Sequence, residues 1–221
     1  FFRMLKKNKQ GIVGLVMIIC IVLLGIFASV ISPFDPEMTN AADARMAPCL
    51  AHLFGTDETG MDIFSRCIWA IRIDVVIGVF GTLISLMIGI PFGLLAGYYE
   101  GVIGEVILRI ADLIQAFPAF ILAMALVSAL GNSTQNILMV VAFVNVPIYT
   151  RFVRGEVLAM KSRPFIEAGH TAGMSPTRIM FQELLPNSLR PALVQASINI
   201  GGAILLTAGL SYIGAGVTIP T

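Results

Sequence analysis

Charged residues are scarce in this chain of 221 residues: Asp, Glu, Lys and Arg make up 12% of it, whereas hydrophobic residues make up 57%. A soluble domain carries about 25% charged residues. Charge is absent from four runs that total 119 positions, namely residues 10–34, 75–99, 113–150 and 191–221. Because a helix needs about 20 apolar residues to cross a bilayer, the composition predicts an all-α, polytopic membrane protein. It disfavours soluble enzymes and secreted disulfide scaffolds.

The sequence also lacks the motifs of common chemistry. It has no GxxxxGK[ST] phosphate loop, no HExxH and no GxSxG pattern, so we expect no catalytic residue, no metal site and no cofactor bound by this chain. The net charge of +1 suggests no polyanionic partner and no nucleic acid. Of the three cysteines, Cys49 and Cys67 share one polar segment; free thiols are favoured there, and a disulfide stays open.

The interruptions between the uncharged runs predict five spans. A polar, turn-forming cluster at residues 131–136 divides the longest run. We place the spans near residues 11–32, 73–98, 106–131, 136–154 and 189–213. Kinks are expected at Pro91, Pro118 and Pro147, and Arg151 is expected to extend towards the membrane interface.

Basic residues are concentrated at the N-terminus and in residues 151–190, while acids are concentrated in residues 33–71. The positive-inside rule therefore places the first two regions in the cytoplasm and residues 33–71 outside. The predicted organisation is a cytoplasmic N-terminus with the first span (1–32), an extracytoplasmic loop (33–71) and a core (72–221) that contains a cytoplasmic loop (155–188). The chain begins with Phe1 and ends on an apolar run, so we expect a piece of a longer polypeptide.

Small residues recur every four positions in the second span and form one stripe, which predicts close helix packing: Gly81, Ser85, Gly89, Gly93 and Gly97. Gln195 and Asn199 share one face of the fifth span, where they either bond a neighbouring helix or line a pathway. Arg109 and Asp112 are expected to pair on one helix surface.

Helix start and stop signals in the cytoplasmic loop predict two short helices. Ser162 is expected to cap the first and Gly173 to close it; Ser175 starts the second, which should end at Leu185 before Pro186. Their apolar residues are expected to lie against the membrane or another protein. In the outer loop, the spacing of Asp57, Glu58 and Asp62 matches no calcium loop and favours a solvated acidic face.

Several segments resemble known permeases. Glu167-Ala168-Gly169, Gly173 and Leu185-Pro186 resemble the EAA loop of permease subunits of bacterial ABC importers. Further segments are similar, in order, to the C-type permease of the dipeptide/oligopeptide/nickel family: residues 52–66, 96–99, 109–112, 116–118, 154–158, 185–189, 201–205 and 210–216. The chain departs from that pattern at Met61, Gly169 and Glu183.

The resemblance implies a type I ABC importer permease fold with six spans, the sixth beyond Thr221, in a bacterial inner membrane. It implies four kinds of partner: the lipid bilayer, a homologous second permease, two ABC ATPase subunits that bind ATP and Mg²⁺, and an extracytoplasmic solute-binding protein. The loop 163–186 would couple to the ATPase through Glu167, Ala168, Gly169, Gly173, Leu185 and Pro186. The cargo stays open among dipeptides, longer peptides, nickel complexes, opines and sugars.

Two other classes of protein remain as alternatives. A secondary transporter or channel would need carboxylates near the bilayer midplane, and the nearest acids, Asp74 and Asp112, are expected at span ends. A membrane-embedded enzyme would need a cluster of reactive side chains, but the two histidines, His52 and His170, are expected on opposite sides of the membrane.

Overall fold

A computed structural model of the chain describes residues 9–216, and the regular elements of this part are all helical. The helices are α1 (Lys9–Ile26), α2 (Ala28–Ile31), α3 (Ile63–Tyr98), α4 (Val102–Gln115), α5 (Ala119–Leu130), α6 (Thr134–Lys161), α7 (Pro164–Thr171), α8 (Pro176–Arg178) and α9 (Leu185–Tyr212), with a 3₁₀ turn at Ala41–Asp43 and a π-helical segment at Ile179–Leu184. The basic N-terminal residues Arg3, Lys6 and Lys7 lie outside the described residues.

Four continuous helices of the described part are long and apolar enough to cross a membrane: α1, α3, α6 and the unbroken stretch Pro176–Tyr212. The pair α4 and α5 adds a fifth span if it is counted as one. The all-α polytopic prediction is therefore confirmed. Two helices extend beyond the predicted spans: α3 begins at Ile63, before the span placed at 73–98, and α6 continues to Lys161, past the span placed at 136–154.

The third predicted span, 106–131, is not one helix. It is split into α4 and α5, whose axes differ in direction by 83°. Pro118 precedes α5 as its N-cap residue; proline offers no N–H to a preceding turn and disfavours a helical conformation in the residue before it. Pro91 and Pro147, by contrast, lie inside helices that continue through them.

The described residues divide between Val76 and Ile77, inside α3, into two compact units. In the first unit, α1 leaves its apolar side chains uncovered: Val16 and Ile18 are 52% and 60% exposed. Its buried residue is Gly25, where an added Cβ would lie 3.2 Å from Ile71 Cγ2. Helix α1 thus presents an apolar surface suited to lipid or to another helix.

The segment between α2 and α3 is folded by its own hydrogen bonds. Met46 and Thr56 are joined in both directions, by Thr56 N to Met46 O (3.1 Å) and by Met46 N to Thr56 Oγ1 (2.8 Å). Gly60 has φ +80°, and a Cβ there would lie 1.8 Å from the carbonyl oxygen of Asn40. This close backbone approach requires glycine.

A buried hydrogen bond between His52 and Asp62 anchors this outer segment. His52 Nδ1 lies 3.0 Å from Asp62 Oδ1, with 9% and 1% of the two side chains exposed, and the Phe34 ring stacks on His52 at 4.6 Å. The other carboxylate oxygen of Asp62 accepts the backbone N–H of Ser65 (2.7 Å). Burial acts to raise the pKa of Asp62, but the hydrogen bonds from Ser65 and His52 outweigh it and hold that pKa below its ordinary value.

The prediction of a solvated acidic face was therefore wrong for Asp62, and Asp57 also departs from it. Arg66 Nη1 donates to Asp57 Oδ2, while Asp57 Oδ1 accepts the backbone N–H groups of Thr59 (2.8 Å) and Met61 (3.0 Å). Local spacing could not reveal His52 and Arg66 as partners, because they are ten and nine residues away from the aspartates that they contact. Cys49 and Cys67 are free thiols, as favoured from the sequence.

The second unit is built on the contact of α3 with α6. The small-residue stripe of α3 faces α6. Each glycine of the stripe contacts the α6 residue that lies sixty positions later in the chain, as in the pairs 81 and 141, 89 and 149, 93 and 153, and 97 and 157. A constant difference means that the two helices run parallel. Ser85, at the same interface, shares its hydroxyl donor between Gly81 O (2.6 Å) and Ala142 O of α6 (2.9 Å).

Helices α5 and α9 pack against other faces of α6. One end of the bundle is fastened by Lys161, the last residue of α6, whose Nζ donates to Tyr98 O (2.8 Å) and to Glu100 Oε1 (2.8 Å). The C-terminal ends of α3 and α6 therefore lie at the same end of this unit.

The close α3–α6 contact predicts that the stability of the protein depends on the size of the side chain at position 93. An alanine Cβ at Gly93 would lie 2.7 Å from Val153 Cβ and 2.8 Å from Thr150 O, and overpacking of this kind costs about 1–3 kcal/mol. We expect Gly93→Ala to lower the melting temperature of the detergent-solubilised protein. Gly155→Ala is the matched control, because an added Cβ there meets nothing within 4 Å; equal melting temperatures for the two variants would contradict the close approach.

The outer segment predicts a pH dependence. Because the pKa of Asp62 is lowered on folding, its carboxylate stabilises the segment above the ordinary value of 3.8, and this contribution is lost as the pH falls through the lower folded value. Asp62→Asn should destabilise the segment at neutral pH by about 1.5–3 kcal/mol, the range for hydrogen bonds to charged groups.

Fluorescence of Trp69, the single tryptophan, reports this transition because its side chain lines a cleft with Phe34 and Glu37. The difference between wild type and Asp62→Asn should shrink as the pH falls below 3.8. Glu58→Gln is the control, since the Glu58 side chain is 81% exposed. A difference that stays constant down to pH 2 would show that the carboxylate does not stabilise the segment.

Candidate functional site

The first candidate site is the turn between α6 and α9, formed by α7, Gly173 and α8. Arg163 is the N-cap of α7 and Pro164 its first residue. The predicted Ser162 cap was wrong, because the residue before a proline is driven into an extended conformation, and Arg163 takes that conformation (φ −84°, ψ 147°). Ser162 instead ends α6.

Gly173 closes α7 as the sequence indicates. It has φ +74°, its N–H donates to His170 O (3.0 Å), and the next N–H, that of Met174, donates to Gly169 O (3.0 Å). Ser175 Oγ then accepts the N–H of Arg178 and starts α8. A positive φ at this position favours glycine, because an L-residue pays about 1–2 kcal/mol there.

The second predicted short helix does not end at Leu185. The chain continues from α8 through the π-helical segment Ile179–Leu184 into α9, and Pro186 lies within the first turn of α9. The N–H of Leu185 still donates to Met180 O, five residues back, whereas Pro186 has no N–H to donate, and the π-helical pattern gives way to the α-helix at this point. The turn is therefore directly continuous with the last span.

The apolar side chains of this segment divide into two sets. Ile166, Ile179, Met180 and Leu184 are buried in one core cluster with Val153 and Val157 of α6 and Leu94 of α3, so the expectation that they lie against lipid or a partner was wrong. Phe165 and Phe181 remain 36% and 61% exposed. The segment, named here the docking turn (residues 163–185), is thus anchored on one side and open on the other.

The predicted coupling residues are distributed over both sides. Glu167 and Ala168 are exposed on α7, and Pro186 is exposed at the start of α9. Gly169 is buried, and a Cβ there would lie 3.3 Å from Met174 Sδ. Leu185 is partly buried against the core cluster.

The second candidate site is a cavity of about 700 Å³ walled by α4, α5, α6, α9 and the α4–α5 connection. Its polar lining residues are Asp112, Gln115, Asn145, Arg151 and Asn199. A neighbouring cavity of about 280 Å³ is lined by side chains such as Ile88, Phe92 and Phe143, so the larger cavity is distinguished by its polar wall.

Arg151 is the centre of that wall. Its Nη2 donates to Asp112 Oδ1 and its Nη1 to Gln115 Oε1. The predicted Arg109–Asp112 pair was wrong, because the partner of Asp112 is this arginine on another helix. The expected extension of Arg151 to the membrane interface stays a prediction.

Of the two predicted pathway residues, Asn199 lines the cavity. Gln195 does not line the cavity itself; its Nε2 donates to Asn199 Oδ1 (3.0 Å), which links it to the wall through that hydrogen bond. Sequence reasoning missed Asp112, Gln115, Asn145 and Arg151 as wall residues. The signal that could have found them is the presence of charged and amide side chains at membrane depth, which usually face a bundle interior or a water-filled path.

Comparisons with known proteins agree with this architecture. Residues 89–221 match the family described as binding-protein-dependent transport system inner membrane component, and residues 1–48 match the N-terminal transmembrane domain of oligopeptide transport permease C.

Similar curated proteins include two dipeptide transport system permease proteins, both named DppC. That of Alkalihalophilus pseudofirmus is 42% identical over 219 residues, which cover 99% of this chain and 72% of the relative. That of Haemophilus influenzae is 36% identical, with 100% and 77% covered. The glutathione transport system permease protein GsiD of Pectobacterium atrosepticum is 34% identical, with 100% and 73% covered.

The bundle and these matches together define an integral membrane permease, a transport protein rather than an enzyme. The chain belongs to the family of binding-protein-dependent transport system inner membrane components. It is a permease subunit of an ABC importer, with the type I permease fold, and it acts within a transporter complex. The resemblance seen in the sequence is thereby confirmed, and the alternatives of a secondary transporter, a channel and a membrane enzyme are set aside.

Proposed function

We propose that this chain is the C-type half of the permease of a bacterial importer for peptides or closely related small solutes. The dipeptide and glutathione transport permeases that it resembles along nearly its whole length support this substrate class. Dipeptides and glutathione are small, water-soluble and carry both an ammonium and a carboxylate group. A polar wall within an apolar bundle suits such a cargo.

The proposed complex contains four partners and has one orientation. A homologous permease completes the transmembrane pathway, a pair of ATPase subunits binds beneath and contacts the docking turn, and a solute-binding protein delivers cargo at the outer face. The membrane is the bacterial inner membrane, with the N-terminus and the docking turn in the cytoplasm. This orientation is supported by the basic residues within and beside the docking turn, namely Arg154, Lys161, Arg163, Arg178 and Arg190.

The observation that carries the coupling proposal is the two-sided docking turn. Its outer side offers Phe165, Glu167 and Phe181 to a partner, while its inner side is embedded in the core cluster with α6 and α3. It also continues without a break into α9. A force applied by the ATPase would therefore reach α6 through side-chain packing and α9 through the backbone.

ATP and Mg²⁺ are proposed to bind the ATPase subunits. The chain has no phosphate-binding loop, and its part in energy conversion is mechanical: it receives the movement of the partner at the docking turn and changes the packing of its own spans.

The proposed function is tested by purifying the assembled transporter and identifying the ligand of its solute-binding protein. We expect the chain to co-purify with a second permease and an ATPase pair. The reconstituted complex should take up a labelled dipeptide in an ATP-dependent manner. Uptake driven by an ion gradient without ATP, or a binding protein that holds a sugar and no peptide, would contradict the proposal.

A substitution at Gly173 tests the coupling. A valine cannot comfortably take φ +74°, so Gly173→Val should redirect the chain between α7 and α8 and lower ATP-dependent uptake at least about tenfold. Membrane insertion and basal ATP hydrolysis should persist. Glu167→Gln, which removes a charge from the exposed side without changing the turn, should weaken the same coupling.

The matched control for Gly173→Val is Gly214→Val. Gly214 also has a positive φ (+83°) and, like Gly173, no atom within 4 Å of an added Cβ, but it lies at the far end of α9. Uptake that falls equally in the two valine variants would indicate general backbone strain and would count against a coupling role for the docking turn.

A further inference from the structure

The Asp112–Arg151 pair joins two helices at the wall of the cavity. Arg151 lies within α6, ten residues before its last residue Lys161, and Asp112 lies on α4. Charged side chains within membrane-spanning helices usually face a protein interior or a water-filled cavity, and both members of this pair line the cavity.

The pair is held firmly and still has free bonding capacity. Asp112 Oδ1 and Gln115 Oε1 accept one N–H each from the Arg151 guanidinium, which has five such donors. Among the described residues, the hydrogen bonds of the two side chains leave three guanidinium N–H groups and Asp112 Oδ2 without a protein partner. Arg151 and Asp112 are 44% and 47% exposed, so this capacity is open to the cavity.

The pair is neutral overall but strongly dipolar. A zwitterion has the complementary arrangement, because its carboxylate can accept from the guanidinium while its ammonium donates to the aspartate. Neither contact requires the ion pair to break. Asn145 lies on the same wall; its Nδ2 donates to Val141 O (2.8 Å), and its Oδ1 can accept the N–H of a peptide unit between the two charged ends.

We infer that the Asp112–Arg151 pair is a transient binding site for the two charged ends of the transported peptide, with Asp112 receiving the ammonium group and Arg151 the carboxylate. This inference rests on the proposed function. Gln115 is a positioning residue that holds the guanidinium plane. A neutral dipolar site binds a zwitterion weakly enough to release it, which conduction through a pathway requires.

The test uses the complete transporter in proteoliposomes, with its binding protein, and three labelled probes: a dipeptide with free ends, its N-acetylated form and its C-amidated form. Asp112→Asn keeps the shape and the oxygen that accepts from Arg151 but removes the charge. It should lower uptake of the free dipeptide at least about tenfold relative to the N-acetylated form, since that form has no ammonium group to lose.

Arg151→Gln should show the complementary pattern. It should lower uptake of the free dipeptide at least about tenfold relative to the C-amidated form, while the N-acetylated form, which keeps its carboxylate, should follow the free dipeptide. Every ratio is taken within one preparation and compared with wild type. Partial loss of assembly and the selectivity of the binding protein therefore cancel.

Arg109→Gln is the matched control, because Arg109 is an exposed charge on α4 that lies outside the described cavity wall; its probe ratios should equal those of wild type. A purely structural ion pair would change uptake of all three probes by the same factor, and that result, or unchanged ratios, would overturn the inference. Failure of the wild-type transporter to take up any probe would instead overturn the proposed function, so the two failures are distinguishable.

Discussion

The close approach of α3 to α6 is the constraint on which the rest of the bundle depends. At Gly89, Gly93 and Gly97 the two helices approach so closely that a methyl group would overlap the facing side chains or backbone. In a bilayer the hydrophobic effect does not drive helices together, because lipid tails are as apolar as the side chains. Close contacts such as these stabilise the helix pair through van der Waals packing instead. Because several of these positions are in one register, α6 cannot rotate about its axis or slide without losing all of them together.

Fixing the rotation of α6 also fixes the direction of its polar residues. Tyr149 and Val153 face α3, and Arg151 lies about 200° around the helix from Tyr149. The arginine is thereby directed away from the α3 contact and into the cavity, where Asp112 meets it. The same helix, one turn further on, contributes Val157 to the cluster that anchors the docking turn. One helix, α6, therefore contributes side chains to the α3 contact, to the cavity wall and to the core cluster beneath the docking turn.

Whether a feature could be predicted from the sequence depends on how far apart along the chain its interacting residues are. Span lengths, the stripe of α3 and the left-handed Gly173 depend on neighbours within a few residues, so pattern alone indicates them. The 83° bend at Pro118 could not be predicted from the proline alone, because Pro91 and Pro147 lie in helices that continue through them. Helices α4 and α5 both pack against α6, and it is this tertiary context that local sequence does not contain.

The polar sites were hidden for the same reason. Asp112 and Arg151 are 39 residues apart, and a helical pattern offers Asp112 the nearer Arg109 instead. His52 and Asp62 come together because the outer segment turns back through glycines whose partners, Met46 and Asn40, cannot be identified from spacing. Long-range pairing in a chain with few charges cannot be assigned by proximity in sequence.

The energetic cost of the Asp112–Arg151 pair is itself informative. A single charge within the apolar part of a membrane helix costs up to about 2.5–3.5 kcal/mol on insertion scales, and an ion pair in a protein interior is often no more stabilising than apolar residues of the same volume. Fold stability alone therefore gives little reason for two charges in this position. Their exposure to a polar cavity, rather than to the apolar one beside it, changes the balance, because water can solvate them there. A chain that excludes charge from more than half of its length thus places this salt bridge where a polar wall and water offset the cost of the two charges.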